Sequence, residues 1–328
     1  MNYSLLPKIE LHLHLDCSLS YAVVSQLDQT ITEKQYQQDF VAPAVCADLR
    51  DYLTRAVKGF SLMQTPAQLR LVTLDLLAQL DADHVIYAEI RFAPLLHTLQ
   101  GLTPAQVVES VQAALQEGSL TYKVIPRLIL CTLRHFTEEQ SLETALLTKQ
   151  FVGQGWVVGF DMAGDEAGYT VAAHKKAFSL IKESGIPFTV HAGEAAGPAS
   201  MWEVIRELQP RRIGHGVRSI EDPALVAYLA EHRIHLEVCP TSNLQTNIFS
   251  SMKHHSLAAL YQQGVSISLS TDARMITPVT LSSEYQQVVT AFSWGMSELL
   301  VCNLQALQYA FVDDKLRAGL QQRLLAAY

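Results

Sequence analysis

The sequence lacks the features that mark secreted, membrane-spanning and nucleic-acid-binding proteins. No apolar run approaches the roughly 18 residues that a membrane helix requires, and the N-terminus has no basic region followed by an apolar stretch. Lysine and arginine (24) are fewer than aspartate and glutamate (32), and the basic residues form no cluster longer than a dipeptide. The net charge of -8 therefore argues against nucleic acid or an anionic membrane as a partner.

The cysteines also lack a pattern. There are five, an odd number, widely spaced and without a Cys-x-x-Cys pair. Neither a disulfide framework nor a cysteine zinc site is indicated, and we expect a protein of the reducing cytoplasm.

Repeats, low-complexity segments and flexible linkers are absent as well, so we expect one domain over residues 1–328. Short apolar runs alternate with longer helical patterns, and 49% of the residues are hydrophobic. We predict eight strands, at residues 8–16, 85–92, 124–131, 157–161, 188–191, 212–215, 235–238 and 266–270. Eight strands, each followed by helical sequence, indicate a (β/α)8 TIM barrel. A doubly wound open sheet is the alternative, disfavoured because no glycine-rich phosphate turn follows an early strand.

The first predicted strand, KIELHLHLD, has aliphatic residues on one face and polar residues on the other. His12 and His14 stand two residues apart on the polar face, where two neutral imidazoles suit a metal such as zinc. An edge strand with incidental histidines is the other interpretation. Because parallel barrels gather the carboxyl ends of their strands at one face, His191 and Asp272 would supply the remaining ligands. Three imidazoles and a carboxylate suit a catalytic metal that keeps a position open for water.

Three further residues end predicted strands and are candidates for chemistry. Glu194 follows His191 in the same loop, where a carboxyl group can give or take a proton; a glutamate that starts a helix is the simpler alternative. His215, between two glycines in IGHGV, can orient or deprotonate water, or bond a loop carbonyl. Gly164 can offer a backbone N–H to a ligand, or simply make a turn.

Other polar residues suggest structural roles. Glu89 and Arg91 share a strand face and are predicted to pair with each other. We expect Asp165 and Glu166 to be acids at a helix start, and His254 and His255 to lie on the surface.

With these motifs in order, the sequence resembles the adenosine deaminase family of the amidohydrolase superfamily. The matching segments run through most of the chain: PKIELHLHLD, SLMQT, YAEIRFAP, GLTPAQVVE, GFDMAGDE, TVHAGE, RIGHGV, EVCPTSN and SLSTDA. The resemblance implies a TIM barrel with a helical lid after strand 1, around SLMQT, and extra C-terminal helices. It also implies deamination of adenosine and 2′-deoxyadenosine in purine salvage.

The resemblance further implies one zinc ion per chain, held by His12, His14, His191 and Asp272. Glu194 would protonate purine N1, while His215 and Asp272 would orient and activate the attacking hydroxide. Asp16 would meet the ribose 5′-hydroxyl, Gly164 would meet N3, and His14 would also border the substrate. The partner would be a small purine nucleoside.

Two residues depart from the family pattern. The family usually has a second aspartate, which bonds purine N7, where this chain has Ala273, and a proline where it has Arg274. Either Arg274 or a water would replace that aspartate, or purine recognition differs. Cys17 replaces a glycine beside the ribose.

These departures keep other functions open. The substrate could instead be adenine, an N6-alkyl adenine nucleotide or a futalosine-type nucleoside. A non-catalytic nucleoside-binding protein is a further alternative, although such a protein need not keep a proton donor beside a metal.

Overall fold

The computed structural model describes residues 2–328. Its eight strands are β1 Lys8–His14, β2 Val85–Phe92, β3 Ile125–Leu133, β4 Val157–Ala163, β5 Val190–Ala192, β6 Arg212–His215, β7 His235–Val238 and β8 Ile267–Leu269. Its α-helices are α1 Tyr21–Leu27, α2 Glu33–Asp39, α3 Leu49–Ser61, α4 Pro66–Ala82, α5 Pro104–Gly118, α6 Glu138–Phe151, α7 Lys175–Glu183, α8 Pro198–Glu207, α9 Pro223–Glu231, α10 Pro240–Gln245, α11 Leu257–Gln262, α12 Leu281–Phe292, α13 Met296–Tyr309 and α14 Asp314–Leu325.

The strands are parallel and close into a barrel. Strands β1 to β4 pair in order, and β5 to β8 pair in order. Two parallel bridges join these halves, Phe160 with Phe188 on one side and Leu13 with Asp272 on the other. The second junction is held by two hydrogen bonds, His14 N–H to the Asp272 carbonyl (2.8 Å) and Asp272 N–H to the His12 carbonyl (3.0 Å). The (β/α)8 barrel expected from the sequence is confirmed.

The helices pack outside the barrel through the apolar faces that the sequence predicts. Ile9 and Leu11 of β1, for example, contact Ala306 and Leu307 of α13, which covers the outside of the barrel near its closing seam. Helix α5 begins where predicted, with Thr103 as N-cap, Pro104 in the first turn and a capping box to Gln106. Within residues 2–328, no helix is both long and apolar enough to cross a membrane.

Additional helices lie after β1, as expected. Strand β1 ends at His14, two residues earlier than predicted, because residues Leu15–Cys17 turn into a 3₁₀ helix. The Ser18 hydroxyl donates to the His14 carbonyl (2.6 Å) and stabilises this turn. Helices α1 to α3 follow, ahead of the barrel helix α4.

The barrel interior contains a network of buried charges. Glu89 and Arg91 do not pair with each other, contrary to the prediction. Arg91 instead contacts Asp161 and Glu237, both at 2.7 Å, and Glu89 pairs with Arg212. Both residues point inward, and a parallel barrel brings partners from β4, β6 and β7 across the interior. Strand-face arguments within β2 alone therefore identified the wrong partners.

Candidate active site

A cavity of about 550 Å³ opens at the carboxyl ends of the strands. This is the face where TIM barrels carry their active sites. Seven of the eight predicted site residues line it: His14, Asp16, Gly164, His191, Glu194, His215 and Asp272. The eighth, His12, is completely buried beside them. The structure thus brings together residues that are up to 260 positions apart in sequence.

The four predicted metal ligands converge. His14 Nε2 lies 3.1 Å from His191 Nε2 and 3.5 Å from Asp272 Oδ1. His12 Nε2 lies 3.4 Å from the same carboxylate oxygen. Each of the four predicted ligand atoms therefore lies within 3.5 Å of at least one of the others.

The outer nitrogens of two of these rings are held by buried acids. His12 Nδ1 lies 2.9 Å from Glu237 Oε2, and His191 Nδ1 lies 3.1 Å from Asp161 Oδ2. Since a carboxylate accepts, each Nδ1 carries a hydrogen, and in the neutral ring Nε2 then presents a lone pair. Among the described residues His12 Nε2 finds no hydrogen-bond donor although it is fully buried. A buried imidazole nitrogen without a hydrogen-bond partner, beside a carboxylate and two further imidazoles, fits a divalent cation, so the residues present suit the expected metal.

Two other potential ligands lie close by. His215 groups with His12 and His191, and Cys239 groups with His12 and Asp272, each set having its ligand atoms within 4.8 Å. Burial, followed by the charge of Asp272, raises the pKa of the Cys239 thiol well above its usual range. A protonated thiol is a poor ligand. The His215 ring is engaged on the far side by Asn243, at 3.2 Å.

The backbone is strained at two of the site residues. His215 has a φ of 62° and Asp272 a φ of 67°, values that non-glycine residues adopt at a cost of about 1–3 kcal/mol and that cluster at functional sites. Gly214, before His215, leaves room for the ligand rings, because a Cβ there would lie 2.7 Å from His12 Cε1.

Glu194 lies in a pocket that favours its protonated form. It is buried, and this burial, together with the charges of Asp272 and Glu166, raises the pKa of its carboxyl group well above the usual range. Its Oε1 accepts from Asn243 Nδ2 and Thr246 Oγ1, both at 3.2 Å. The surroundings of Glu194 thus favour the neutral acid, which carries a transferable proton.

The loop that carries Glu194 is held by Glu166. The carboxylate of Glu166 accepts the backbone N–H groups of Gly193 (2.6 Å), Glu194 (3.0 Å) and Ala196 (3.0 Å). It also accepts the Ser200 hydroxyl at 2.7 Å. Glu166 is not an acid of a helix start, as the sequence suggested, but a buried anchor for the Glu194 loop.

Asp16 lies at another part of the cavity wall. Its Oδ2 accepts the Ala93 N–H (3.1 Å) and lies 3.9 Å from His97 Nε2. Burial raises the pKa of Asp16 to about 6. Asp16 therefore offers a substrate hydroxyl either an acceptor or a donor, depending on pH.

The structure decides one of the open questions about Ala273 and Arg274. Ala273 and Cys17 both line the cavity, whereas Arg274 does not. The Arg274 guanidinium is buried behind the cavity wall against Glu10 (2.8 Å) and Asp83 (3.3 Å). Arg274 therefore cannot take over the contact that the usual second aspartate makes, and that alternative is wrong.

Helix α3 forms an apolar roof over the cavity. Eight of its residues line the space: Arg50, Tyr52 and Thr54, and five with hydrocarbon side chains, Leu49, Leu53, Ala56, Val57 and Phe60. Their spacing of four, seven, eight and eleven residues is that of a single helix face. The roof lies before SLMQT and ends in it, where the resemblance places the lid.

Sequence reasoning missed several residues that support the site. Glu237 and Asp161 orient the ligand histidines, and Asn243 and His255 lie behind Glu194 and His215. His255 is buried, contrary to the surface position expected for it, while His254 is exposed. The position of EVCPTSN at the end of β7 was the available signal for Glu237 and Asn243, since polar residues at that strand end must reach the cavity rim.

Comparison with known proteins places this arrangement in a family. The profile of the family described as adenosine deaminase matches residues 7–327. The chain belongs to the adenosine deaminase family. It is 33% identical to the adenosine deaminase of Clostridium acetobutylicum, over 97% of each chain. It is 34% identical to that of Haemophilus ducreyi, over 96% of each chain.

Solved structures of other proteins have the same fold as this member of the adenosine deaminase family. The adenine deaminase of Arthrobacter aurescens superposes with a TM-score of 0.89 at 23% identity, covering 98% of both chains. The Arabidopsis N6-mAMP deaminase gives 0.89 at 25% identity, over 99% of both. A Burkholderia ambifaria amidohydrolase with bound zinc gives 0.91 at 20% identity, over 99% of this chain and 91% of the other.

Proposed function

We propose that this protein hydrolyses adenosine and 2′-deoxyadenosine to inosine and 2′-deoxyinosine, with release of ammonia and dependence on zinc. The observation that carries the proposal is that a converging set of histidines and an aspartate shares one cavity with Glu194, a buried carboxyl group of raised pKa. Hydrolytic deamination needs both a nucleophilic water and an acid in the same site.

The residues that would hold one zinc ion are His12, His14, His191 and Asp272. A zinc ion, when bound, lowers the pKa of a water ligand to about 7 and thereby supplies a nucleophile at neutral pH. The donor set of three imidazoles and a carboxylate supports zinc over magnesium or calcium, which prefer oxygen ligands alone. Glu237 and Asp161 would keep two of the imidazoles in the orientation and tautomer that ligation requires.

The protein's own groups then handle the protons. The Asp272 carboxylate is positioned to take the proton from the attacking water. Although burial opposes its ionisation, the surrounding histidines hold its pKa well below the usual range. Glu194 would donate its proton to purine N1, which gains charge as water adds to C6. His215, 3.5 Å from Glu194 Oε2, would orient the water. The amino group takes up the proton held by Asp272 and leaves as ammonia. The new C6 hydroxyl returns its proton to Glu194, and the purine keeps the oxygen and the N1 hydrogen.

The charges lining the cavity favour a nucleoside over a nucleotide. Among the described lining residues Arg50 is the one arginine or lysine, and it pairs with Asp165 at 3.0 Å. Asp16, Glu194 and Asp272 add carboxyl groups to the same wall. A phosphate would find no unpaired cation, whereas Asp16 can bind a ribose hydroxyl and Gly164, with a φ of 100°, can present its backbone to the base.

Deamination of another 6-aminopurine compound is the second candidate. Ala273 removes a polar group from the cavity wall, which supports altered base recognition, and structural neighbours include adenine and N6-mAMP deaminases. The apolar roof of α3 could equally accept an N6-alkyl group. A non-catalytic binding protein is not supported by family membership or by the raised pKa of Glu194.

The same proposal includes one catalytic domain over residues 1–328 and a cytoplasmic location. All five cysteines are free and buried, as expected for a reducing compartment.

A substrate panel with zinc-loaded protein tests the proposal. Adenosine, 2′-deoxyadenosine, adenine, AMP and N6-methyl-AMP are compared by kcat/KM, following absorbance loss and ammonia release. We expect the two nucleosides to lead, and Glu194→Ala to abolish turnover. Preference for adenine or a nucleotide would select the second candidate, and no turnover of any compound would reject both.

A further inference from the structure

Behind Glu194 and His215 lies a short chain of buried polar groups that the proposed chemistry does not use. It runs from the backbone at the start of α11 through His255 and Asn243 to both residues. Both residues are buried; Asn243 belongs to α10, and His255 lies in the loop before α11. When these hydrogen bonds are taken in order, the donor and the acceptor of each one can be assigned.

The first hydrogen bond of the chain has a backbone N–H group as its donor. The Leu257 N–H donates to His255 Nδ1 at 3.0 Å, so this nitrogen carries a lone pair. Burial lowers the pKa of His255 to about 3, and the neutral ring must therefore carry its hydrogen on Nε2. Nε2 lies 3.3 Å from Asn243 Oδ1.

This hydrogen determines the orientation of the Asn243 amide. Because His255 Nε2–H donates, the atom that faces it must be the carbonyl oxygen of Asn243. The amide nitrogen then faces Glu194 Oε1 and His215 Nδ1, each at 3.2 Å. An amide nitrogen has two hydrogens, one for each acceptor.

The orientation of the Asn243 amide determines where two residues of the cavity wall, His215 and Glu194, carry their hydrogens. His215 Nδ1 accepts a hydrogen bond, so the neutral ring carries its hydrogen on Nε2, the nitrogen nearer Glu194 Oε2. Glu194 Oε1 is occupied as an acceptor by Asn243 and Thr246, so the acid proton is directed to Oε2. Without the chain, the Asn243 amide could rotate by half a turn and oppose both arrangements.

Building on the proposed function, we propose that His255 and Asn243 are positioning residues that direct the hydrogen of His215 to Nε2 and the acid proton of Glu194 to Oε2. His215 then acts toward the attacking water as a hydrogen-bond donor that orients it. The acceptance of the water's proton is left to Asp272.

The direct test needs no variant. Nitrogen-15 NMR of ring-labelled, zinc-loaded wild-type protein distinguishes a hydrogen-bearing from a bare imidazole nitrogen, and His215→Asn assigns the signals. We expect the His215 hydrogen on Nε2. A hydrogen on Nδ1 would overturn the proposal. This readout involves no substrate, so it stays informative even if the panel above rejects adenosine deamination.

Variants supply the kinetic test. Asn243→Leu and His255→Phe keep size but remove the chain, and we expect kcat to fall about 10- to 100-fold, as for other residues that orient reacting groups. KM should change less than threefold, because neither residue lines the cavity. His255→Gln, which retains a side-chain N–H for Asn243, should recover part of kcat.

A matched control separates positioning from stability. His235 is buried at the opposite end of β7 and bonds Ser266 and Ser268, both at 2.9 Å. His235→Phe should lower the melting temperature as His255→Phe does, yet leave kcat within twofold. If His255→Phe and Asn243→Leu fold, bind zinc and keep wild-type kcat, the positioning role is wrong.

Discussion

Replacing Glu194 by glutamine separates the acid from everything else that this side chain does. Glutamine keeps an oxygen for the Asn243 and Thr246 donors, which lie 3.2 Å from Oε1, and keeps nearly the same volume. It removes only the transferable proton. A positioned general acid contributes about 10²- to 10⁴-fold, or about 3 to 5 kcal/mol of transition-state stabilisation. We expect kcat to fall by that factor, with KM and zinc content little changed.

The raised pKa of Glu194 makes the same substitution stabilising. Between the ordinary glutamate pKa of about 4.3 and the higher pKa of Glu194 in the folded protein, the unfolded chain has lost the proton and the folded chain retains it. The folded state then binds more protons, so stability falls as pH rises through this window. Glu194→Gln removes that dependence and should be more stable than wild type at pH 7, but not below about pH 4.

Two assays check these expectations. In steady-state kinetics on zinc-loaded protein, the kcat of the wild type should fall at high pH as Glu194 deprotonates. The pH–rate profile of Glu194→Gln should show no such fall. Denaturant unfolding of both proteins without metal, at pH 4 and pH 7, should show the stability difference only at pH 7. Glu194→Gln with more than a tenth of wild-type kcat, or less stable at pH 7, would refute the assignment of Glu194 as a buried neutral acid.

Three further outcomes follow from the geometry of the site. Gly214→Ala would place a Cβ 2.7 Å from His12 Cε1, so we expect about 1–3 kcal/mol of destabilisation and weaker zinc binding in a metal titration. Gly319, inside α14 with no atom within 4 Å of an added Cβ, is the matched control, and Gly319→Ala should stabilise by about 1 kcal/mol. In Glu166→Gln, an amide N–H group would face the backbone N–H donors that the carboxylate now accepts. We expect this change to lower the free energy of unfolding by about 1–3 kcal/mol and to lower kcat. An unchanged melting temperature and an unchanged kcat would contradict the anchoring role of Glu166. Removing the metal with a chelator should lower the melting temperature and abolish turnover, and added zinc should restore both. A ligand present at 100 times its Kd adds about 2.7 kcal/mol to the free energy of unfolding. Activity that survives complete removal of zinc would rule out the metal site.

The sequence alone predicted the barrel and seven of the 26 residues that line the cavity. Alternation along KIELHLHLD and the position of His191, His215 and Asp272 at strand ends were sufficient, because a parallel barrel gathers these ends at one face. Helix boundaries such as Pro104–Gly118 were also accessible, since capping residues act within a few positions.

The ion-pair partners of buried charged residues could not be predicted from the sequence in this way. Glu89 and Arg91 stand two residues apart, yet each pairs across the barrel with another strand. Arg274 was a candidate for base recognition from its position beside Asp272, but Glu10 and Asp83 hold it away from the cavity. His255 looks like a surface histidine in KHHSL and is instead buried behind Asn243.

What the sequence by itself determined is which residues can do chemistry and at which end of the fold they gather, because strand periodicity and strand order are local properties of the chain. Only the tertiary structure decided what each side chain bonds to, and hence the raised pKa of Glu194, the proposed tautomer of His215 and the support that Glu166 gives to the loop. Those properties depend on burial and on hydrogen-bond partners 27 to 52 residues away in sequence, which become neighbours only when the chain folds.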